Sequence, residues 1–325
     1  MSVTAAAGLP HGMDLSSLGN GTGGVWTTAE ALRCGLSEEQ VEHRVQTGEW
    51  QRLRRGVLCD AGVVPDAAMR GWAAVKAAGG AGHAWAAGRT TARLFRLPLI
   101  DDDDPATGAA EHVHDDVAVS VSRHPSQRAT LHVQRLHLIS GHTVRVDGCP
   151  TLTLDSALPG LARLLTREAL VCLLDSALHQ DLVDEQRLEV VIEARAGRHG
   201  GALLREAVQL ADGRAESPAE TLARLLLLPV LPGLVPQVQL FDRGMREVAR
   251  FDLGDEQIGL AVEADGTRGH SGAQMVAKDR RRDRTTGGYG WTTERCTWWE
   301  LRREQEALRA RVLATAAGLS AGRSD

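Results

Sequence analysis

The C-terminal part of this chain sets out an order of elements that few folds can satisfy. "SPAETLARLLLL", from Ser217, begins as helices begin, with Ser at the cap, Pro at the first helical position and Glu at the third. "VPQVQLF", "REVARFDL" and "QIGLAVEA" then read as three strands, with turns at residues 242–244 and 255–257. "GAQMVAKDRRRDRT" is a basic helix, and "WTTERCTWWEL" is a strand leading into a terminal helix. The order α-β-β-β-α-β-α predicts a mixed α/β domain over residues 214–317.

Within it, "LAVEADGTRGH" ends an apolar run on two carboxylates, Glu263 and Asp265, with His270 five residues further on. Asp252 lies eleven residues before Glu263, near the end of the preceding strand. A tight hairpin brings both to one edge, and strand alternation puts Asp265 on the side of Glu263. Glu220, on the helix before, could complete an acidic cluster. Oxygen ligands of this kind suit Mg²⁺ or Mn²⁺, and such a metal polarises a phosphate and acidifies a water. Each residue also has a plainer reading. The capping box alone accounts for Glu220, Asp265–Gly266 is a good turn dipeptide, and His270 could be a surface loop histidine.

Net charge is −5, so the whole chain does not advertise nucleic acid. The charge is local instead: from Gly266 to Arg311 there are eleven Lys or Arg against six Asp or Glu. Lysine is almost absent, with only Lys76 and Lys278. Five scattered cysteines without a C-x-x-C pair support neither a disulfide framework nor a thiolate zinc site. No stretch of about 18 apolar residues predicts a membrane span, and the first residues lack a signal-peptide pattern. A cytoplasmic protein without a membrane partner is the expectation.

Residues 1–24 are rich in Gly, Ser and Ala and are expected to be poorly ordered. Over 25–62 the pattern is helix, turn, helix and hairpin: Thr28 caps a short helix, Gly35 stops it, and Ser37 with Gln40 opens a second. "WQRLRRGVL" supplies two short strands around Arg54–Arg55–Gly56. This is the outline of a winged helix, and equally Arg54 and Arg55 could be an ordinary charged hairpin tip. Residues 63–211 read as a mixed α/β middle domain. It has an Ala-rich helical stretch over 66–95, an acidic linker, strands near 117–123 and 129–138, a hairpin turning at Asp147–Gly148, and four helices from Leu154 onward.

The C-terminal stretch resembles the PD-(D/E)XK nuclease superfamily, and in particular uncharacterised domains related to the very-short-patch-repair endonuclease. The matching segments, in the family's order, are "ESPAE", "ARFDL", "LAVEADGTRGH", "KDRRRD" and "GYGWTTERCTWWEL". The resemblance implies a restriction-endonuclease-like fold and metal-dependent phosphodiester hydrolysis. Asp252 and Glu263 would be the metal ligands, Asp265 and Glu220 their neighbours, and His270 an acid/base or phosphate contact. The superfamily's usual lysine, two residues after the glutamate, is replaced here by Asp265. Lys278 could substitute from the following helix, and Arg281 and Arg282 could clamp phosphate. Residues 27–58 resemble the winged helix of AbiEi-type antitoxins. That implies DNA contact by Arg44, Arg52, Arg54 and Arg55, repression of an operon, and a cognate toxin as a possible partner. Two function classes stand open: an endonuclease acting on DNA, or a non-enzymatic repressor on a degenerate nuclease fold.

Overall fold

A computed structural model describes residues 15–101, 115–120, 131–137, 141–265 and 273–322, with the side chains of residues 273–279 left aside. The fold is mixed α+β, and the chain divides into two compact units, Met1–Leu164 and Leu165–Asp325.

The first unit opens on a 3₁₀ turn, Leu15–Ser17, and a glycine-rich loop. Residues 15–24 are therefore structured, contrary to expectation: Leu15 and Leu18 pack against a cluster of Trp26, Ala31, Leu36, Val41, Trp50 and Leu58. β1 (Trp26–Thr27) leads into α1 (Thr28–Arg33), then α2 (Glu38–Gln46), β2 (Trp50–Arg54) and β3 (Val57–Asp60). Both helices start with full capping boxes, Thr27 with Glu30 and Ser37 with Gln40, so the two starts are fixed locally. The three strands form one antiparallel sheet in the order β1-β3-β2.

Further on come α3 (Ala67–Ala77), β4 (Ala84–Ala87), α4 (Gly88–Leu94), β5 (Asp115–Ser120), β6 (Leu131–Leu136), β7 (Thr143–Val146), β8 (Cys149–Leu152) and α5 (Leu154–Leu161). Five strands make a mixed sheet in the order β6-β5-β4-β8-β7. The β7–β8 hairpin turns at Asp147 and Gly148, whose φ values of 47° and 77° suit the two-residue hairpin turns that need left-handed backbone. The Ala-rich stretch at 66–95 was expected to be helical throughout. Instead β4 interrupts it and pairs with both β5 and β8.

The second unit begins with three helices, α6 (Arg167–His179), α7 (Glu185–Ala194) and α8 (Gly201–Leu210), and continues with α9 (Pro218–Leu227). The contacts do not divide at residues 211–214, where the sequence suggested a boundary. Asp175 of α6 is buried and accepts from the Arg224 guanidinium at 2.7 Å, the Thr221 hydroxyl at 2.7 Å and the Asp212 amide at 2.7 Å. α6 is thereby tied to α9 through a buried ion pair, in which the Arg224 Nε alone of the guanidinium nitrogens has no hydrogen-bond partner among the described residues.

β9 (Val235–Phe241), β10 (Glu247–Asp255), β11 (Leu260–Asp265), α10 (Ala273–Gly287), β12 (Thr292–Thr297), α11 (Trp298–Arg303) and α12 (Gln305–Gly322) complete the chain. The sheet order is β12-β11-β10-β9; β9, β10 and β11 run antiparallel to their neighbours in turn, and β12 lies parallel to β11 across the α10 crossover. Leu260, Ala261 and Val262 of the central β11 form a continuous buried run, so both faces of the sheet are covered there, since successive side chains point to opposite faces. Among the described residues no helix is long and apolar enough to cross a membrane.

Candidate active site

β10 and β11 pair from Asp255↔Leu260 to Leu253↔Val262 and stop there. Beyond that point β10 stays paired with β9, in register from Phe251↔Val238 to Ala249↔Leu240, and β11 keeps its register with β12 through Glu263↔Arg295 to Asp265↔Thr297. The two central strands therefore part, and a wedge opens between them. Asp252 and Glu263 stand at its apex, with Arg250 and Asp265 further out. A crevice where neighbouring strands separate is where open sheets commonly place ligands.

The Asp252 carboxylate accepts the Ala264 N–H at 2.8 Å, an amide that no carbonyl of β10 now satisfies. Glu263 is buried and ion-paired to Arg282 of α10 at 2.6 Å, with Arg295 at 3.8 Å from its other oxygen. Arg295 is held mainly by Asp283, through contacts of 2.7 and 3.1 Å. Arg282 also donates to the Arg250 carbonyl at 2.6 Å. Ala249, Arg250, Asp252, Glu263, Asp265 and Arg282 line one open cleft.

Glu220 stands beside this cleft on α9. Its backbone N–H donates to Ser217 at 3.2 Å, as the capping motif predicts. Its carboxylate accepts from the Glu216 amide and the Gln237 side chain, each at 2.9 Å, rather than closing the box on its own cap residue. Arg250 makes a two-armed pair with Glu216, at 2.7 and 2.8 Å.

Burial is the largest influence on all three inner carboxyls, and it raises each above its ordinary value. For Asp252 the Ala264 bond and then Arg282 and Arg250 pull the other way, while Asp265 adds to the rise. For Glu263, Arg282 and Arg295 oppose the rise, and Asp252 and Asp265 reinforce it. For Glu220, the Glu216 amide opposes the rise and Asp252 reinforces it. The group is thus a set of acids whose burial outweighs the opposing hydrogen bonds and arginines, with repulsion between the acids as a lesser contribution.

This donor set suits a hard cation. Among the described residues no three His, Cys, Asp or Glu converge as a closed metal group. Asp252 and Glu263 would instead offer two carboxylates, with water completing the shell, which is how magnesium is usually held. A site of this openness is unlike a structural zinc site.

Of the residues expected from sequence, Asp252, Glu263, Asp265 and Arg282 meet in the cleft, and Glu220 lies next to it. His270 falls outside the described residues, and so does the Lys278 side chain, although its backbone lies in α10. Arg281 is exposed on α10. Arg250 and Arg295 were missed. Strand alternation beside Asp252 could have found Arg250. Arg295 needed the parallel register, which no local pattern reveals.

The N-terminal arginines are placed differently. Arg44 pairs with Glu49 and lies 5.2 Å from the Trp50 ring, and Arg52 pairs with Glu42. Arg54 pairs with buried Asp115, which also takes Arg93 at 3.2 Å. Arg55 is exposed. The expected DNA contacts of Arg44, Arg52 and Arg54 are thus already committed to carboxylates of their own chain.

No family model matches the chain. It is similar to two uncharacterized proteins of Mycobacterium tuberculosis, from strains CDC 1551 / Oshkosh and ATCC 25618 / H37Rv. Each is 29% identical over 282 residues, covering 85% of this chain and 96% of the relative. The similarity covers 85% of this chain, more than either unit alone, so it reaches into both.

Proposed function

We propose that the second unit is a metal-dependent nuclease of the PD-(D/E)XK kind acting on DNA, with Mg²⁺ or Mn²⁺ as its cofactor. The observation that carries this is the wedge: two strands part and leave Asp252 and Glu263 at the apex of a cleft that also holds two arginines. The α-β-β-β-α-β order around it supports the same reading. A bound divalent cation would polarise the phosphate and lower the pKa of a water. Asp252 and Glu263 would hold it. Arg250 and Arg282 would orient the phosphate, since a guanidinium fork matches its oxygens. The exposed α10 arginines Arg280, Arg281 and Arg284 would follow the strand on either side.

The test is incubation of the purified full chain with supercoiled, linear duplex and single-stranded DNA, with Mg²⁺ or Mn²⁺. Nicking or cleavage is expected only with metal, falling by about 10³-fold or more in Asp252→Ala and Glu263→Ala. A folded wild-type protein that leaves every substrate intact with both metals defeats the proposal.

A second reading has one observation on its side. Glu263 is already compensated by Arg282, as expected of a repressor whose nuclease-like fold does no chemistry. That reading expects salt-sensitive binding to the promoter of its own operon that survives Glu263→Ala. Loss of binding in Arg52→Ala with Arg55→Ala would place the contact on the β2–β3 hairpin.

A further inference from the structure

Glu263 is a buried carboxylate whose contacts, among the described residues, are two ion pairs. One partner, Arg295, has its own carboxylate in Asp283. The other, Arg282, reaches in from α10, and its side chain stays 39% exposed. A buried charge stripped of its partner is costly, so an ionised Glu263 is best held beside a cation. Arg282 supplies one at 2.6 Å, on a carboxylate that would also hold a divalent ion.

Arg282 is also anchored without Glu263. It donates to the Arg250 carbonyl at 2.6 Å, and its guanidinium carbon lies 6.0 Å from the centre of the Phe251 ring. Both anchors are on β10, at the wall of the wedge. If the guanidinium lets go of Glu263, it still has a backbone acceptor and an aromatic face to hold it at the cleft.

We propose that Arg282 is a latch on the metal site. It occupies Glu263 in the metal-free protein and yields that carboxylate when a divalent cation binds, remaining on the wall of the cleft as a cation. This inference rests on the metal-site reading given above. It makes Arg282 a positioning residue that stands in for the cation in the resting state and sets how tightly the site takes metal. It also accounts for a strand that has Asp265 where a lysine is usual. The positive charge that faces the glutamate comes from the helix, and it can move aside.

The experiment is calorimetric titration of Mn²⁺ into the full chain, metal-free at the start, for wild type, Arg282→Gln, Arg282→Lys, Glu263→Gln and the Arg282→Gln/Glu263→Gln pair. Thermal melting of each protein, with and without Mn²⁺, confirms folding and gives a second readout. Arg282→Gln is expected to bind Mn²⁺ about tenfold or more tighter than wild type, because a like charge has left the site. It should also show the larger metal-induced rise in melting temperature. Arg282→Lys keeps the charge and should stay near wild type, and both Glu263→Gln proteins should lose most of the binding. If Arg282→Gln binds at wild-type affinity while Glu263→Gln weakens binding, the latch is wrong and the metal site stands. If neither wild type nor Arg282→Gln takes up Mn²⁺, the latch and the metal site fall together.

Discussion

The arginines of α2 and the N-terminal hairpin and those of α10 meet different fates. Arg44 faces Glu49, Arg52 faces Glu42 and Arg54 faces Asp115, while Arg55 at the hairpin tip is exposed. On α10, Arg280, Arg281 and Arg284 are exposed and, among the described residues, make no ion pair. A guanidinium already held by a carboxylate must give up that partner before it can take a phosphate. An exposed one without such a pair releases counterions on contact and adds directly to affinity. The sequence made the hairpin the natural DNA reader. The charge pairing moves that expectation to the helix beside the wedge.

The largest effect that could break this comparison is on stability. Asp115 is 5% exposed, and among the described residues it pairs with Arg54 and Arg93. Arg54→Ala leaves a buried carboxylate short of a partner and is expected to cost about 3 kcal/mol. Denaturant unfolding followed at the first unit would measure it. DNA affinity of the folded protein should be unchanged. An Arg54→Ala protein of wild-type stability that no longer binds DNA would return the contact to the hairpin.

A smaller effect sharpens the other side. Replacing Arg280, Arg281 and Arg284 together by Ala should weaken DNA binding by about 10- to 100-fold at low salt and flatten the slope of log affinity against log salt by roughly two to three. These side chains are exposed, so each change should alter stability by no more than about 0.5 kcal/mol. Arg44→Ala with Arg52→Ala should leave the salt slope where it is. An unchanged slope in the α10 triple variant would remove that helix as the contact surface.

How much of this was legible beforehand depends on how local each signal was. Helix starts at Ser37 and Ser217 are fixed by a cap and a residue three positions on, and both stand where the residues put them, whereas the first helix is capped by Thr27, one residue before the expected Thr28, because Thr27 closes a box with Glu30. The Asp147–Gly148 turn is equally local. β4 was missed because "AWAA" has no β-branched residue to mark it, and its strand character comes from partners about 30 and 65 residues away. The carboxylates of the site were readable as strand-end residues. The wedge was not, because it exists only where the β10–β11 ladder stops while the flanking ladders continue. The division of the chain at Leu164 was hidden for a related reason. Asp175 and Arg224, 49 residues apart, bind α6 to α9, and neither residue announces the other.

The smallest expected effect bears on whether the wedge is a site or only an irregular sheet. Burial raises the carboxyls of Asp252, Glu263 and Glu220 above their ordinary values of 3.8, 4.5 and 4.5. In the window between the ordinary and raised values, the folded chain holds protons that the unfolded chain has released. Stability therefore falls as pH rises through that window, and the cost persists at neutral pH. Asp252→Asn removes one of the charges. Its amide oxygen can still accept the Ala264 N–H, the bond that Asp252 makes at 2.8 Å. The expected outcome at pH 7 is a melting temperature about 2–4 °C higher than wild type, with a flatter pH profile. A structural carboxylate would behave the other way. It would lose stability as Asn, because Arg250 and Arg282 would have lost a partner they need. A fall in melting temperature would mean that the acids are there to hold the sheet, and a rise would mean that the fold tolerates them for something that binds.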